Sequence, residues 1–406
     1  MALARHRAPA VVAADLARQA AMFESSAVAK NRRPELSFVG RALVAPKGFY
    51  DPVITNLGEY ETKVVLDVAI LDGGTRARSR ARGALDLAAA RLTASVQARD
   101  VGLEAADLAF KVLRLSEVEA SQQGTLDWIG RLRLLMRGAV RAGARSTTDS
   151  VRIALEQIAA ETAHESTLAD RRNAEIDLLA LIGAPADSSI IVRPPDTPAR
   201  PPTPEDSIRV LASAARQPEI AAARVEEERG RLDLVEARAA RAPTLGFSLD
   251  GGLAGADLTS TVPGDLRATD PDARFADRLR RDLGASATIN LRAPITASGA
   301  GARTKGRKVT MESARIRSLG ALATQQKIAL EILVRWQSAH RRLLAARAAV
   351  LGADQNLLRV KSLYTGGAIQ LLDLLDASHV HQDARERLAD VREESRSAQF
   401  RAEDRP

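Results

Sequence analysis

The chain contains the sequence RRPELSFVG at residues 32–40 and a related sequence, RAPTLGFSL, at residues 241–249. The two segments lie 209 positions apart, and at the same offset Pro9 matches Pro218. Both begin with a basic residue, place a proline shortly afterwards, and then alternate apolar with polar or small residues. This alternation is typical of a β-strand, so the match predicts the same helix-to-strand transition at two places in the chain.

A second pair of related segments follows in the same order, RAGARSTTD at residues 141–149 and TGGAIQLLD at residues 365–373, now at an offset of 224. A loop that is longer in the second half accounts for the larger offset. Segments that recur in the same order indicate an internal duplication. We therefore expect a first structural repeat, a Pro-rich linker and a second repeat, at residues 1–193, 194–204 and 205–406.

Each repeat contains two segments in which apolar and polar residues alternate, as where Leu36 and Phe38 flank Ser37. The predicted strands are about 9–11 residues long, a length that crosses a bilayer as a tilted strand. A small soluble sheet with one solvated face has the same pattern, so both interpretations stay open. Four strands are too few to close a membrane barrel, and in that interpretation three chains would supply twelve. The four strands are predicted at residues 36–46, 60–70, 245–254 and 284–293.

Each strand pair is followed by a long segment that is almost free of helix breakers, and no proline lies between Pro52 and Pro185. We predict helical hairpins over residues 75–183 and 301–399, with helices of roughly 65 residues that extend about 100 Å. Helices of this length need neighbours along their whole length, which favours a coiled-coil or tubular assembly. The predicted fold class is an α+β membrane protein, in which a long α-helical coiled-coil barrel is joined to four β-strands per chain. The simpler alternative is an intracellular coiled-coil rod.

The long helices must reverse at Gly143 in the first hairpin and at Gly366 or Gly367 in the second. Glycine supplies the positive φ angle with which many helices end. Ser146 lies where its hydroxyl group can cap the returning helix. Asp149 then falls in the first turn of that helix, where the helix dipole alone favours an acidic residue.

Two acidic residues follow the second turn, Asp373 and Asp376. They are three positions apart and therefore share one helix face. In a symmetric trimer they would form paired rings of carboxylates, and such rings line cation-selective constrictions.

The composition argues against several classes of function. The chain has no cysteine, which excludes disulfides and thiolate metal sites, and its five histidines are scattered, so no metal and no cofactor is expected. No nucleophile–base set, P-loop or dinucleotide fingerprint is present, so we do not expect an enzyme. The net charge is +8, but the arginines are interleaved with acidic residues and aromatic residues are only 3%, so no nucleic-acid partner is expected.

The chain contains no run of about 18 apolar residues and therefore no predicted transmembrane helix. Its first residues, MALARHRAPAVVAADLARQAAM, lack the apolar core and cleavage site of a signal peptide. Taken alone, this start favours a cytoplasmic protein. The membrane interpretation instead implies a start codon assigned too late or a truncated N-terminus.

Several segments together resemble the TolC-type outer membrane efflux family. They include the strand-to-helix junction AILDGGTRARSRA at residues 69–81, the end of the first half, LLALIGAP, at residues 178–185, and the second turn, SLYTGGAIQLLDLLDAS, at residues 362–378. No single motif is specific, but the motifs occur together in the family's order, and the resemblance covers nearly the whole chain. The resemblance implies a homotrimer whose strands form a twelve-stranded outer-membrane barrel and whose helices form a periplasmic tunnel.

The same resemblance implies partners and site residues. The partners would be outer-membrane lipid, a periplasmic adaptor (membrane fusion protein) and an inner-membrane pump. Asp373 and Asp376 would form the channel constriction. The helix tips that dock the adaptor would comprise Gly143, Ser146, Asp149, Gly366, Gly367 and Leu371.

The expected function is that of a passive exit duct of a tripartite efflux or type I secretion system. Its location would be the cell outer membrane, with a periplasmic extension. The alternative is a soluble coiled-coil scaffold that binds acidic partners through its arginines and has no transport activity. Fractionation separates the two, because a scaffold needs no detergent.

Overall fold

The computed structural model describes residues 2–30, 34–42, 60–143, 145–185, 187–195, 198–240, 242–255, 280, 283–294 and 299–405. The helices are α1 (Ala2–Arg7), α2 (Pro9–Lys30), α3 (Thr75–Arg141), α4 (Thr147–Leu181), α5 (Pro204–Ser213), α6 (Pro218–Ala239), α7 (Ala300–Thr365) and α8 (Leu371–Glu403), with a 3₁₀ turn at Ala214–Arg216. The strands are β1 (Glu35–Ala42), β2 (Tyr60–Leu71), β3 (Thr244–Gly255) and β4 (Leu283–Arg292). The chain divides into two compact units. Unit 1 comprises Met1–Gln19, Ala89–Arg224 and Ile316–Pro406, and unit 2 comprises Ala20–Ala88 and Val225–Arg315.

In unit 2 the four strands form one antiparallel sheet in the order β1-β2-β3-β4. The register aligns Leu36 with Leu66, Leu66 with Leu249, and Leu249 with Ala287. Cross-strand partners lie on the same face of a sheet, and side chains alternate between faces along each strand. The predicted apolar positions therefore share one face. Its exposed large apolar side chains include Leu36, Phe38, Val64, Leu249, Leu283, Ile289 and Leu291.

The bounds of β2, β3 and β4 lie within one residue of the segments expected from the alternation. The first strand begins one residue earlier than expected, at Glu35, and is described as far as Ala42. The rest of its expected range, residues 43–46, lies outside the described residues, as do the aromatic residues Phe49, Tyr50 and Phe275.

The junction between β2 and α3 is built on Asp72 and two glycines with positive φ angles, Gly73 at 59° and Gly74 at 80°. The Asp72 carboxylate accepts hydrogen bonds from the backbone N–H groups of Arg76 at 2.8 Å and Gly74 at 2.9 Å. These hydrogen bonds hold the pKa of Asp72 below its usual value, and the bond from the Arg76 N–H has the largest effect. Arg78 donates to the carbonyl oxygen of Gly73 at 2.7 Å. The Asp-Gly-Gly sequence thus turns the chain and caps the helix in a single step.

The helices of unit 2 are tied together by exposed ion pairs. Arg82 on α3 reaches Asp233 and Glu236 on α6, each at 2.7 Å. Arg229 on α6 reaches back to Asp86 on α3 at 2.6 Å. Exposed pairs contribute little individually, on the order of 0.2–1 kcal/mol each, so they orient these helices more than they stabilise them.

In unit 1 the Pro-rich segment is anchored through Arg200. Its carbonyl oxygen accepts a hydrogen bond from Nε1 of Trp336 on α7 at 2.9 Å, and its guanidinium group lies 5.2 Å from the centre of the Trp336 ring. Trp336 is fully buried. The described residues of the segment form no regular element before Pro204, the first residue of α5, in keeping with proline's lack of an N–H donor.

A capping box starts α5. Thr203 Oγ1 accepts from the backbone N–H of Asp206 at 3.2 Å, and the Asp206 carboxylate accepts from the backbone N–H of Thr203 at 3.0 Å. Asp206 is buried and also pairs with Arg200 and Arg209. The Arg200 guanidinium, helped by Thr203 and Arg209 against the opposing effect of burial, holds the pKa of Asp206 well below its usual range.

Candidate functional site

Both long helices reverse through a glycine in the left-handed conformation. In the first turn Gly143 has a φ angle of 72°, and its N–H donates to the carbonyl oxygen of Val140 at 3.0 Å. Ser146 then caps α4, its Oγ accepting from the backbone N–H of Thr148 at 3.1 Å. Asp149 lies in the first turn of α4, where the helix dipole favours a negative charge.

The second turn has the same design with one difference. Gly367 has a φ angle of 76° and donates to the carbonyl oxygen of Tyr364 at 3.0 Å, and Ala368 donates to Leu363 at 2.9 Å. Gly366, which the sequence offered as an equal candidate, is not among the glycines with positive φ. A Cβ atom on Gly366 would meet only ordinary contacts, the nearest being a carbonyl oxygen at 3.5 Å. Gly367 is therefore the residue that ends the helix.

The two turns lie at one end of unit 1, because a single apolar core joins all four helices there. It contains Ile129, Leu132 and Met136 of α3, Ile153 of α4, Leu357 of α7, and Leu371, Leu374, Leu375 and Ala377 of α8. Leu371 is 2% exposed. Its side chain belongs to this core and offers no surface to a partner, in contrast to the docking role that the resemblance implied.

Two cation–π contacts also connect the first hairpin to the second. The guanidinium group of Arg145 lies 4.9 Å from the centre of the Tyr364 ring, and Lys361 Nζ lies 5.0 Å from the centre of the Trp128 ring. Burial raises the pKa of Tyr364, with Asp149 acting in the same direction and Arg145 against it. Contacts of this kind are worth about 0.5–1 kcal/mol at exposed sites and more when desolvated. The turns are therefore held to each other as well as closed individually.

Asp373 and Asp376 are both exposed on one face of α8. The Asp373 carboxylate accepts a hydrogen bond from the backbone N–H of Gln370 at 3.0 Å, so it helps to cap α8. Within the described part of the chain, no hydrogen bond or ion pair engages Asp376. Of the two carboxylates, Asp376 is thus the one that makes no polar contact with other described residues.

A polar cluster that the sequence did not indicate lies several helical turns away from Gly143 and Gly367, on the same helices. Gln382 on α8 accepts from Thr125 at 2.8 Å and from Ser121 at 3.2 Å, both on α3, while Gln122 donates to Glu386 at 3.1 Å. Gln122, Thr125, Gln382 and Glu386 border a cavity of about 190 Å³ between α3, α4 and α8. The only signal in the sequence is the i,i+4 spacing of the polar residues. The cluster joins two helices that belong to different hairpins.

Two histidines bridge α8 to both of its neighbours. His379 Nε2 lies 2.9 Å from Glu156 on α4, and His381 Nε2 lies 2.6 Å from Asp354 on α7. Burial raises the pKa of Asp354, but hydrogen bonds with His381 and Arg385 outweigh it and leave that pKa lowered. Over the described ranges, no group of three or more His, Asp or Glu residues is arranged to hold a metal ion.

No helix in the described part of the chain is both long and apolar enough to span a membrane.

The chain matches solved structures of outer-membrane proteins over nearly its whole length. The outer membrane protein VceC from Vibrio cholerae matches with a TM-score of 0.78 at 15% identity, covering 98% of this chain and 94% of VceC. The Campylobacter jejuni CmeC outer membrane channel matches with a TM-score of 0.77 at 14% identity, covering 98% of this chain and 84% of CmeC. A membrane protein from Pseudomonas aeruginosa matches with a TM-score of 0.76 at 20% identity, covering 98% and 91%.

No protein-family model matches the sequence, and a sequence comparison with curated proteins finds no match. The likeness is therefore one of fold. The chain has the fold of outer-membrane channels, as the resemblance to the TolC-type family implied. That fold is mostly helical, with a four-stranded antiparallel sheet.

Proposed function

We propose that the protein is one protomer of a trimeric, TolC-type exit duct in the outer membrane, which passes solutes passively as part of a tripartite efflux or type I secretion system. The observation that carries this proposal is the likeness of nearly the whole chain to outer-membrane channels. The sheet and the helices each add independent support from this chain's own residues.

The sheet supports a membrane barrel made by several copies. One face carries exposed Leu, Phe, Val and Ile side chains, and β1 and β4 are edge strands whose outer backbone groups need partners. In lipid, an open edge is costly because no water satisfies those groups. Three copies would join β1 of one chain to β4 of the next and close a barrel of twelve strands.

The helices support side-by-side assembly of copies. On α7 one row of side chains is buried within the chain, including Ala329, Trp336, Leu343 and Leu357. A second row, one position further along, is exposed and also apolar at most positions. Positions that differ by multiples of seven stay on one face of a left-handed supercoil, so this row fits a neighbouring helix. The exposed row contains Ile316, Leu330, Leu344, Leu351 and Leu358.

The hairpin turns are proposed as the gated end of the duct. Asp373 and Asp376 would form two rings of carboxylates around its axis, favouring cations at the constriction. The exposed turns, with Gly143, Ser146, Asp149, Gly366 and Gly367, would dock a periplasmic adaptor that links the duct to an inner-membrane pump. Leu371 is left out of this docking surface because its side chain is buried.

Two further expectations remain part of the proposal. The internal duplication at residues 1–193 and 205–406 is supported by helices of equal length, Pro9–Lys30 and Pro218–Ala239, which begin at the offset of 209. The starts of α4 and α8 likewise differ by 224 positions, which is the offset between the two turn segments. A location in the outer membrane, with the helices in the periplasm, follows from the proposed barrel.

The first test is assembly. The chain, expressed behind a bacterial export signal, should be extracted from membranes only with detergent and give the mass of a trimer by native mass spectrometry. The control is the same chain without the export signal. A monomer or dimer recovered in the soluble fraction of the exported sample would refute the duct and support the coiled-coil scaffold instead.

The second test is conductance in a planar bilayer. Asp373→Asn and Asp376→Asn together should reduce the preference for cations, because the change removes the charges while retaining the size of the side chains. The matched control is Glu331→Gln with Glu312→Gln, which removes two exposed carboxylates from a different helix, α7. Unchanged selectivity in the aspartate variant would refute the constriction while leaving the duct intact.

A further inference from the structure

The cavity between α3, α4 and α8 has a volume of about 190 Å³ and takes no part in the proposed duct mechanism. Trp128 and Ile129 of α3 and Leu375 of α8 supply apolar side chains to its wall, and α4 contributes three alanines. An engineered apolar cavity of about 150 Å³ holds a benzene molecule. The space here therefore suits an organic group of about one aromatic ring.

The wall also carries a buried hydrogen-bond acceptor that has no donor. The Gln122 side chain, on a residue that is 9% exposed, donates from Nε2 to Glu386 Oε1 at 3.1 Å. This bond fixes the orientation of the amide, because turning it over would place its oxygen against the carboxylate. Gln122 Oε1 is buried and receives no hydrogen bond from the described residues. A buried acceptor is costly to leave without a donor, so this atom favours an occupant that carries an N–H or O–H group.

The charge of the wall is negative. Its ionisable residues are Glu156, Glu386 and His379, and along the described chain no lysine or arginine borders the cavity. Glu156 is held by His379 Nε2 at 2.9 Å. Glu386 uses one oxygen, Oε1, for both of its described hydrogen bonds, from Gln122 and from Gln382 at 2.6 Å. The second oxygen of Glu386 can therefore accept from a bound cation, and such charge-assisted bonds are the stronger ones.

A ligand can reach the cavity from solvent in the single chain. Two of the alanines that border it, Ala159 and Ala163, are exposed on α4. Their side chains are small, so a ligand can enter past this face of α4 without unfolding of the three helices.

We propose that this cavity, here called the three-helix cavity, binds a small primary amine in its ammonium form, with an apolar body of about one aromatic ring. The ammonium group donates to Glu386 Oε2 and Gln122 Oε1, on two side chains that are already joined by a hydrogen bond. The apolar body lies against Ile129, Leu375 and Trp128. Water is the competing occupant, but it leaves the carboxylate without a counter-charge.

Binding in the three-helix cavity would act on the packing of the two hairpins. Its wall belongs to both of them, since α3 and α4 form the first hairpin and α8 lies in the second. A ligand that binds only the packed arrangement stabilises that arrangement by mass action. The bound amine therefore opposes the separation of α8 from α3, whether or not the chain forms a trimer.

Fluorine NMR measures the binding of 4-fluorobenzylamine to the full-length protein in a neutral detergent, with 4-fluorobenzyl alcohol as the uncharged match and detergent alone as the blank. The amine should bind saturably and roughly tenfold more tightly than the alcohol, because only the amine carries the charge that Glu386 attracts. Amide exchange in residues 120–130 and 375–386 should slow when the amine is bound.

Three variants locate the site. Glu386→Gln should lower the affinity for the amine roughly tenfold and leave that for the alcohol nearly unchanged, since glutamine keeps the size and an acceptor for Gln122 Nε2. Ala159→Leu, at an exposed position of the wall, should weaken the binding of both ligands because it narrows the cavity. The matched control is Asp383→Asn, which removes the same charge from an exposed position of α8 outside the wall and should bind both ligands as the parent protein does.

The outcomes decide the assignment without bearing on the duct, because trimer mass and conductance are measured without the amine. Equal binding of amine and alcohol, or no saturable binding of the amine, would overturn the proposal and leave water as the occupant. Unchanged binding of the amine in Glu386→Gln would overturn it as well. An equal loss in Asp383→Asn would also overturn it, since the amine would then respond to net charge and not to this cavity.

Discussion

Replacing Gly367 by alanine should open the second hairpin turn, whereas replacing Gly366 should not. Gly367 has a φ angle of 76°, in the left-handed region that costs an L-residue roughly 1–2 kcal/mol. The left-handed turn at Gly367 brings the backbone N–H of the next residue, Ala368, to the carbonyl oxygen of Leu363 at 2.9 Å. Gly366 is outside the left-handed region, and a Cβ atom there meets nothing closer than 3.5 Å. At that position alanine reduces the freedom of the unfolded chain and is expected to stabilise slightly, by about 0.4–1 kcal/mol.

Local hydrogen exchange is the appropriate assay, because it reports the free energy of opening at one place in a large protein. A cost of about 1.4 kcal/mol corresponds to roughly tenfold faster exchange of the amides that open with the turn. Peptides covering residues 360–372 should therefore exchange about tenfold faster in Gly367→Ala and no faster in Gly366→Ala. Peptides from the first turn, around Gly143, report whether the change spreads.

Equal acceleration of exchange by Gly366→Ala and Gly367→Ala would refute this prediction, since both glycines would then be needed for the turn. Unchanged exchange in Gly367→Ala would also refute it, because residue 367 would then not adopt the positive φ angle on which the magnitude depends. Gly143→Ala provides a second test, since Gly143 has nearly the same φ angle of 72°.

Three further changes test other contacts. Asp206→Asn should destabilise unit 1 by about 1–3 kcal/mol in denaturant titrations at pH 7, since it weakens a charge-assisted capping box. Because Arg200 holds the pKa of Asp206 below its value in the unfolded chain, the stability that the Asp206 carboxylate adds is present above pH about 4 and is lost as the pH falls. The Asp206→Asn variant should lack this acid-dependent loss of stability. Ser146→Ala should cost about 1 kcal/mol and speed amide exchange at the start of α4, and Ser146→Asp should restore protection. Arg145→Gln should loosen the contact between the turns by about 0.5–1 kcal/mol, seen as faster exchange around Tyr364, and Tyr364→Leu should leave no further effect of the arginine change.

Local features of the fold could be predicted from the sequence because their causes are local. Alternation placed the strands, since each side chain of a strand takes the face opposite to its neighbour's. Glycine placed the turns, since only that residue adopts a positive φ angle without cost. The sequence alone does not show whether Gly366 or Gly367 takes the positive φ angle. That depends on which carbonyl oxygens at the end of the helix accept the hydrogen bonds that close the turn. The start of α4 at a Ser146 cap follows from preferences that act within three residues.

The contacts between the hairpins could not be predicted, because they join residues that are far apart in the chain. Arg145 and Tyr364 meet only after four helices have packed around one core, and the sequence gives no spacing that links them. Leu371 illustrates the same limit, since the family resemblance implied a surface role whereas packing buries its side chain. The excess of arginines over acidic residues at 128–152 is visible in the sequence. Whether these arginines are paired can be judged only in three dimensions.

The two aspartates of the proposed constriction are not equivalent, and this decides how they should be changed. Asp373 accepts the backbone N–H of Gln370, so its replacement by alanine would remove a helix cap as well as a charge. A rise in conductance in such a variant would then have two explanations, a frayed α8 or a lost ring of charge. Asparagine keeps an acceptor oxygen at the same place and removes only the charge, and Asp376, which caps nothing in the described chain, shows the effect of charge alone. If Asp373→Asn and Asp376→Asn shift cation selectivity alike while Asp373→Ala alone also raises basal conductance, the charge sets selectivity and the cap keeps the end of the duct closed.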